Sequence, residues 1–535
     1  MRHPIMRSTL LFLLASLLLI AHSGCAARAP IGADAATPAW ADDLAGSLPA
    51  DAGYAFLLRP QTDLAPMMGM VTELVEGVTL TLGPALQDPS AWGVDTSAGL
   101  ALYGTSSSMM VVVRLADPTR FSLFLKELHE RTGLSWSSRG VGHAAVYSSV
   151  LTENERLDFG LQGTLGFLRV TYVDVDDDAD AAILSLLQGH RGQGWLLQSE
   201  AAQEILQGRP QDVMHTFAFF STGWVDTALQ HLARSSDPAY QPSAACVSAA
   251  DGLRAALPWF GFAGWEESGT HHADVVLPLR SSGLARAQRL FRPAPVGALQ
   301  DDTIALGAVG SIQLGELAMW LREQRSEWTQ CGNAASLLGI LGTLHAAGGR
   351  GWEADARLYT GTGAFALYNF RLMGLIPMVE GAVMATTSDP PAVLERIQRM
   401  LRQLGSQATV VEDAAITTIE HRVLMYRLRL MQTADRFLVV SGDAPRPTLN
   451  ALALDTAPEH GPFFRLVWRG ERLRPSLEAL VTYAGQLADL SEADLTSYRE
   501  LLDGPLNIES LDIHAGLNDE GVRVRFSLRR AAPLR

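Results

Sequence analysis

The pattern of apolar and polar positions predicts two long regions built from alternating strands and amphipathic helices. In the first half, the apolar run MMVVVRL is followed by Asp117, Pro118 and a segment whose apolar residues recur at helical spacing. In the second half, the run EGAVMATT is followed by Asp389, Pro390 and a helix of the same kind. We expect each aspartate to cap its helix by accepting backbone N–H groups. Each proline suits the first helical position, where no N–H is needed.

The two halves share further landmarks in the same order. LPADAGYAFLL opens the first half and LQDDTIALGAV the second; later, HTFAFFSTGW corresponds to PFFRLVWRGE, and each half ends in a predicted hairpin. The offsets between corresponding landmarks drift between about 245 and 272 residues. This shared order favours an internal duplication, with two unrelated α+β domains as the alternative.

The fold class follows from how the predicted strands are connected. The strands alternate in polarity, and consecutive strands are often joined by short turns rather than helical crossovers. This favours antiparallel sheets packed with helices, and therefore an α+β fold with two similar lobes. We place the first lobe at 47–295 and the second at 296–535, with the boundary in RPAPVGALQDD.

The first residues predict export. Residues 1–24 have the form of a signal peptide, with two arginines before the unbroken apolar run Leu10–Ile20, which is shorter than the roughly 20 residues that span a bilayer. The following Ser-Gly-Cys resembles the lipobox of bacterial lipoproteins, in which Cys25 would carry the lipid; His22 departs from the aliphatic residue usual there. The alternative is ordinary signal-peptidase cleavage and secretion. Residues 25–46, rich in Ala, Pro, Gly and Asp, predict a flexible tether.

The net charge and the predicted compartment limit which partners the protein is expected to bind. The formal net charge of −15 argues against nucleic acid, whose phosphates require a basic face. If Cys25 carries a lipid, the membrane is one partner. Ala26 then implies the outer membrane, by resemblance to the sorting rule of Gram-negative lipoproteins; a periplasmic location is the alternative. An envelope protein or an apolar ligand is the expected further partner.

The remaining cysteines leave two alternatives open. Cys246 and Cys331 are compatible with one disulfide in an oxidising compartment, or with two buried thiols that act as small apolar side chains.

The most concentrated run of negative charge offers a weak calcium site. Asp174, Asp176 and Asp178 could supply oxygen ligands, but an EF-hand loop starting at Asp174 would need Gly at 179 and Glu at 185, where the chain has Ala179 and Ser185. A solvated acidic turn before a helix is the favoured interpretation. We predict no other metal site and no cofactor.

The layout resembles a class of bacterial secreted proteins of unknown function, which open with Leu-Pro-Ala-Asp and repeat a strand, Asp-Pro, helix unit. The resemblance implies architecture and export and brings no catalytic residues. We therefore expect a non-enzymatic binding or scaffolding role in the envelope. One alternative is a carrier of lipid or another apolar ligand, lined by aromatic residues such as those clustered at 259–265. A weaker alternative is a hydrolase without a recognisable motif.

Overall fold

The computed structural model describes most of the two predicted lobes. The described residues are 44, 52–58, 89–95, 98–104, 108–132, 135–141, 144–152, 155–172, 196, 199–210, 214–225, 241, 243–320, 358–373, 376–403, 407–413, 416–423, 426–442, 452, 458–488, 496 and 507–530.

The chain divides into two compact units. The first comprises Met1–Glu267 and Ala273–Pro278, and the second comprises Ser268–His272 and Leu279–Arg535. This division lies near residue 278; the boundary predicted from the sequence is near 295. The intervening residues include a helix, Ser281–Leu290, that belongs to the second unit.

The first unit contains an antiparallel sheet. Its described strands are β1 (Tyr54–Leu58), β2 (Leu100–Gly104), β3 (Ser108–Arg114), β4 (Trp136–Val141), β5 (Ala144–Thr152), β6 (Glu155–Gln162), β7 (Leu165–Tyr172), β8 (Met214–Ser221), β9 (Trp259–Glu267) and β10 (Thr270–Pro278). They pair in the order β10-β9-β8-β1-β2-β3-β7-β6-β5-β4, and the pairs from β9 to β4 are antiparallel.

The second unit has the same strand order. Its described strands are β11 (Leu306–Ser311), β12 (Tyr359–Met373), β13 (Ile376–Thr387), β14 (Gln407–Asp413), β15 (Ile416–Val423), β16 (Tyr426–Gln432), β17 (Arg436–Ser441), β18 (Pro462–Arg469), β19 (Ile508–Asn518) and β20 (Gly521–Arg530). They pair antiparallel in the order β20-β19-β18-β11-β12-β13-β17-β16-β15-β14. Each strand of the second unit therefore occupies the same position as the strand of the first unit whose number is ten lower, so that β11 corresponds to β1 and β20 to β10.

The helices complete an α+β fold, which confirms the predicted class. The described α-helices are α1 (Pro118–Thr132), α2 (Glu200–Leu206), α3 (Ala244–Ala256), α4 (Ser281–Leu290), α5 (Pro390–Gln403) and α6 (Gly470–Ala488); 3-10 turns lie at Pro89–Trp92 and Val296–Gln300, and residues 222–225 and 314–320 are also helical. Helices α1 and α5 occupy corresponding places, after β3 and β13. The shared topology supports a common origin of the two units, which stays a prediction. No helix among the described residues is long and apolar enough to cross a membrane.

Apolar cores cover both faces of the first sheet. On the face that we call the helix face, Phe56 and Phe159 share a core with Phe121 of α1. On the opposite face, the rear face, α2 packs so closely that a Cβ at Gly261 would lie 2.1 Å from Cδ1 of Ile205. A side chain at position 261 would therefore have to displace Ile205.

The second sheet has the same two faces but a smaller core under its helix. On its helix face, Ile419 and Leu430 pack against Leu394 of α5. On its rear face, a larger core includes Val309 and Val467. The two units therefore share a topology but differ in how completely the helix face is covered.

Candidate functional site

An unbroken row of apolar side chains crosses the helix face of each sheet. In the second unit, the row in pairing order is Ile419, Leu430, Val439, Val383, Phe365, Ala308, Leu466, Ile513 and Phe526. In the first unit, the corresponding row is Tyr147, Phe159, Leu168, Val111, Leu102, Phe56, Ala218 and Phe262. Cross-strand neighbours on one face have Cβ atoms about 5 Å apart, so each row is a continuous apolar band.

The two rows differ in exposure at their centres. In the second unit, Val383 is 54% exposed and Phe365 is 37% exposed. The residues in the same places of the first unit are Val111, which is half-buried, and Leu102, which is 3% exposed. Val379, on the same face of β13, is 39% exposed. We call Phe365, Val379 and Val383 the open apolar patch.

Aromatic residues from outside the strands complete the helix-face core of the first unit. Trp92, from the 3-10 turn before β2, stacks on Phe124 of α1 with ring centroids 4.4 Å apart and planes within 2°. Trp224 packs against Tyr54 with ring centroids 4.5 Å apart. These rings belong to the same apolar core as the first row, a favourable arrangement for large aromatic side chains.

A charged cluster lies on the rear face of β18 and β19. The Nε and Nη2 atoms of Arg465 donate to the two carboxylate oxygens of Asp512 at 3.2 and 2.7 Å. His514 Nε2 lies 2.8 Å from Asp512 Oδ1. Burial alone would raise the pKa of Asp512, but the hydrogen bonds from His514 and Arg465 outweigh it and lower that pKa to about 2. The carboxyl is therefore ionised at neutral pH and can only accept, so His514 Nε2 carries the proton that it donates.

More arginines continue this cluster along β20. Arg465, His514 and Arg525 form one cross-strand row, and Ser527 lies opposite Asp512 in the next row. His272 lies in the first residues of β10, which belong to the second unit although β10 from Ala273 onward belongs to the first, and its Nδ1 is 3.0 Å from Ser527 Oγ. The rear face of β18–β20 therefore concentrates positive charge in a chain whose formal net charge is −15.

Buried carboxylates of the first unit have structural roles. Asp158 on β6 is fully buried and accepts hydrogen bonds from Ser148 Oγ at 2.5 Å and from Arg156 Nε and Nη2 at 3.2 and 3.1 Å. Asp274 on β10 pairs with Arg209, which follows α2. Both carboxylates are compensated, as buried charges must be, and removing either partner would be strongly destabilising.

One buried histidine lies on the helix face beside the end of the apolar row, two residues after Ile419 on β15. His421 is fully buried on β15, and burial, followed by the positive charge of Arg402, lowers its pKa. Acidification below the ordinary histidine range would force a proton onto a buried ring and would destabilise this corner of the second unit.

The structure describes some of the residues singled out by the sequence. Asp117 Oδ1 accepts from the N–H groups of Thr119 and Arg120 at 3.0 Å, and Asp389 Oδ1 accepts from that of Ala392 at 3.1 Å. Pro118 and Pro390 begin α1 and α5. The other predicted site residues lie outside the described residues, or have side chains that do: Cys25, Asp174, Asp176, Asp178, Cys246 and Cys331. Within the described part of the chain, no three His, Cys, Asp or Glu residues are grouped so that they could hold a metal ion.

The aromatic cluster at 259–265 is divided between two cores. Trp259 and Trp265 lie in the rear-face core of the first unit, whereas Phe262 lies in the helix-face core. Phe260 stacks on Phe220 with ring centroids 4.8 Å apart. These side chains alternate across the sheet, so together they do not line one groove.

Neither the open apolar patch nor the charged cluster was predicted from the sequence. The spacing of Asp512 and His514 in a predicted strand was a usable signal, because residues two apart share a face. Arg465 could be joined to them only once the register of β18 against β19 was known.

Comparison with known proteins provides no family. No protein-family model matches the sequence, and no curated protein is significantly similar to it. Among solved structures, crystal form III of a protein named TP0453 is similar over 47% of this chain and 88% of that chain, with 11% identity and a TM-score of 0.25. Form I gives 10% identity, 45% and 80% coverage and a TM-score of 0.25, and form IV gives 13%, 47%, 87% and 0.26. Similarity at this level assigns no function.

Proposed function

We propose that this chain is an exported envelope protein, anchored through a lipid on Cys25, with a non-enzymatic binding role. Support for export comes from the apolar leader and the lipobox-like Ser-Gly-Cys. The open apolar patch is the surface that binds the partner, an envelope protein with a complementary apolar face.

One observation carries the binding role. The central positions of the same apolar row are more exposed in the second unit, at Val383 and Phe365, than in the first, where Val111 is half-buried and Leu102 is buried. Large apolar side chains left exposed in the middle of a sheet do not contribute the stabilising free energy of burial, which is roughly 25 cal/mol for each Å² removed from water. An apolar surface retained in spite of that loss is typical of an interaction site.

Native mass spectrometry of the protein released gently from the envelope tests this proposal. We expect a complex with a second protein, and we expect Val383→Asp to abolish it because a carboxylate cannot be buried unpaired in an apolar interface. The matched control is Val150→Asp, since Val150 is also a strand valine, 64% exposed, in the first unit. If neither substitution changes the spectrum, the patch is not the binding surface.

The same experiment separates the carrier alternative. The exposed row would also suit a lipid or another apolar ligand, which would appear as a small added mass that departs on denaturation. If a lipid mass is present in the wild type and absent in Val383→Asp, the patch binds an apolar ligand and not a protein partner.

A further inference from the structure

The hairpin formed by β12 and β13 is longer than the corresponding hairpin of the first unit. Counted along the strands from the apolar row, Leu367 and Gly381 occupy the positions of Gly104 and Met109. The connection between these positions has 13 residues in the second unit and four in the first. The second unit therefore has nine additional residues at this end of its sheet.

The additional residues extend the hairpin past the ends of the strands beside it. The neighbouring strands β11 and β17 pair with β12 and β13 only as far as Leu367 and Gly381. Beyond these residues β12 and β13 pair with each other at five more positions, and no other described strand pairs with them there. The backbone N–H of Phe370 donates to Ser476 Oγ of α6 at 3.0 Å. Helix α6 therefore holds the extension near its base.

The outer part of the extension is apolar at positions on both faces. Its last two pairs join four apolar residues, and a fifth follows on β13. Successive positions of a strand belong to opposite faces, so these residues are divided between the two faces of the hairpin. We call them the apolar tip: Leu372, Met373, Ile376, Pro377 and Met378. The corresponding connection of the first unit is Thr-Ser-Ser-Ser, a polar turn of the ordinary kind.

This two-sided apolar pattern suits a lipid surface better than a flat protein surface. A strand pair that packs on one core or one protein surface is typically apolar on one face and polar on the other. Acyl chains, in contrast, surround an inserted segment on both faces. Arg371 begins the outer part of the extension, and Asn369 and Glu380 form the polar pair at its base. Polar and basic residues that bound an apolar segment are typical of the level of lipid headgroups.

The length of the extension limits how deeply it can enter a bilayer. Three residue steps separate Phe370 from Met373, which corresponds to about 10 Å at 3.4 Å for each residue. The hydrocarbon core of a bilayer is about 30 Å thick. The outer edges of the hairpin also present backbone N–H and C=O groups that no described strand pairs, and such groups need water or headgroups. The tip is therefore suited to the boundary between headgroups and acyl chains.

We propose that the apolar tip inserts into one leaflet of a lipid bilayer, at the boundary between the headgroups and the acyl chains. A single acyl chain holds a protein on a membrane only reversibly, so the tip would be a second membrane contact beside the lipid proposed for Cys25. The inference goes beyond the protein-binding role of the open apolar patch. It depends neither on that role nor on the lipid anchor.

Co-sedimentation with phosphatidylcholine vesicles tests the tip on the full chain that carries Cys25→Ser, so that no acyl chain contributes. Neutral vesicles are used because the formal net charge of −15 would oppose binding to anionic ones. We expect this parent chain to bind the vesicles and Ile376→Asp to weaken binding about ten-fold, as the loss of one large buried aliphatic side chain would. Val383→Asp, on the same strand but in the open apolar patch, should bind the vesicles as the parent does.

Two further measurements distinguish the other possible occupants of the tip. Urea unfolding should give Ile376→Asp the same midpoint as the parent, whereas a lowered midpoint would show that the chain itself covers the tip. Native mass spectrometry should show that Ile376→Asp keeps the protein complex expected at the open apolar patch. The proposal is overturned by a lowered midpoint, by loss of that complex in Ile376→Asp, by absence of vesicle binding in the parent, or by equal vesicle binding of parent and Ile376→Asp.

Discussion

Substituting Asp512 by asparagine should destabilise the second unit in a pH-dependent way. The folded chain holds the pKa of this carboxyl at about 2, against an ordinary value of 3.8. At 1.36 kcal/mol for each pKa unit, the difference corresponds to about 2.4 kcal/mol at neutral pH. Because 30% of the side chain is exposed, solvent screening reduces this value. We expect Asp512→Asn to lower the free energy of unfolding by about 1 to 1.5 kcal/mol.

The sign of the pH dependence follows from the direction of the shift. A carboxyl with a lowered pKa in the folded state stabilises that state above about pH 4, and the contribution is lost as the pH falls toward 2. The difference between wild type and Asp512→Asn should therefore shrink in acid.

Hydrogen-exchange mass spectrometry across a urea series measures this effect locally. Peptides that cover β18–β20 give the urea midpoint for unfolding of that region alone. Separate unfolding of the first unit therefore does not affect the result. Asp519→Asn, in the exposed turn between β19 and β20, is the matched control. A loss of stability that is the same at pH 7 and pH 3, or that equals the loss in the control, would refute the reasoning.

Three further predictions address the fold and the anchor. Phe56→Ala should cost about 3 to 5 kcal/mol because Phe56 is buried, whereas Val383→Ala should cost less than about 0.5 kcal/mol because Val383 is exposed; denaturant unfolding of each variant compares them. Asp389→Ala should destabilise the second unit by about 1 kcal/mol and Asp389→Asn by much less, since asparagine also caps; exchange rates in α5 distinguish the two. Cys25→Ser should abolish labelling by radioactive palmitate, and unchanged labelling would exclude the lipid anchor.

The sequence predicted the layers of the fold because they depend on local patterns. Alternating apolar strands and the caps at Asp117 and Asp389 are encoded within a few residues, and they recur in both halves in the same order. The boundary near 295 stays a prediction, since a Pro-rich stretch marks a turn but does not show which unit the preceding helix α4 joins.

The candidate site was harder to predict because it depends on long-range contacts. The strands that contain Val383 and Val111 are similarly apolar in sequence, and the sequence does not show that Trp92 and Phe124 stack within the core on the helix face of the first sheet. In the same way, alternation placed Asp512 and His514 on one face, but Arg465 lies 47 residues before Asp512 and required the observed register.

Photo-crosslinking in intact cells tests the central claim most directly. A photoreactive amino acid is placed at Val383 or, for comparison, at the similarly exposed Val150. We predict a discrete adduct with one envelope component from position 383 and none from position 150. Equal or absent adducts at the two positions would contradict a binding role for the open apolar patch.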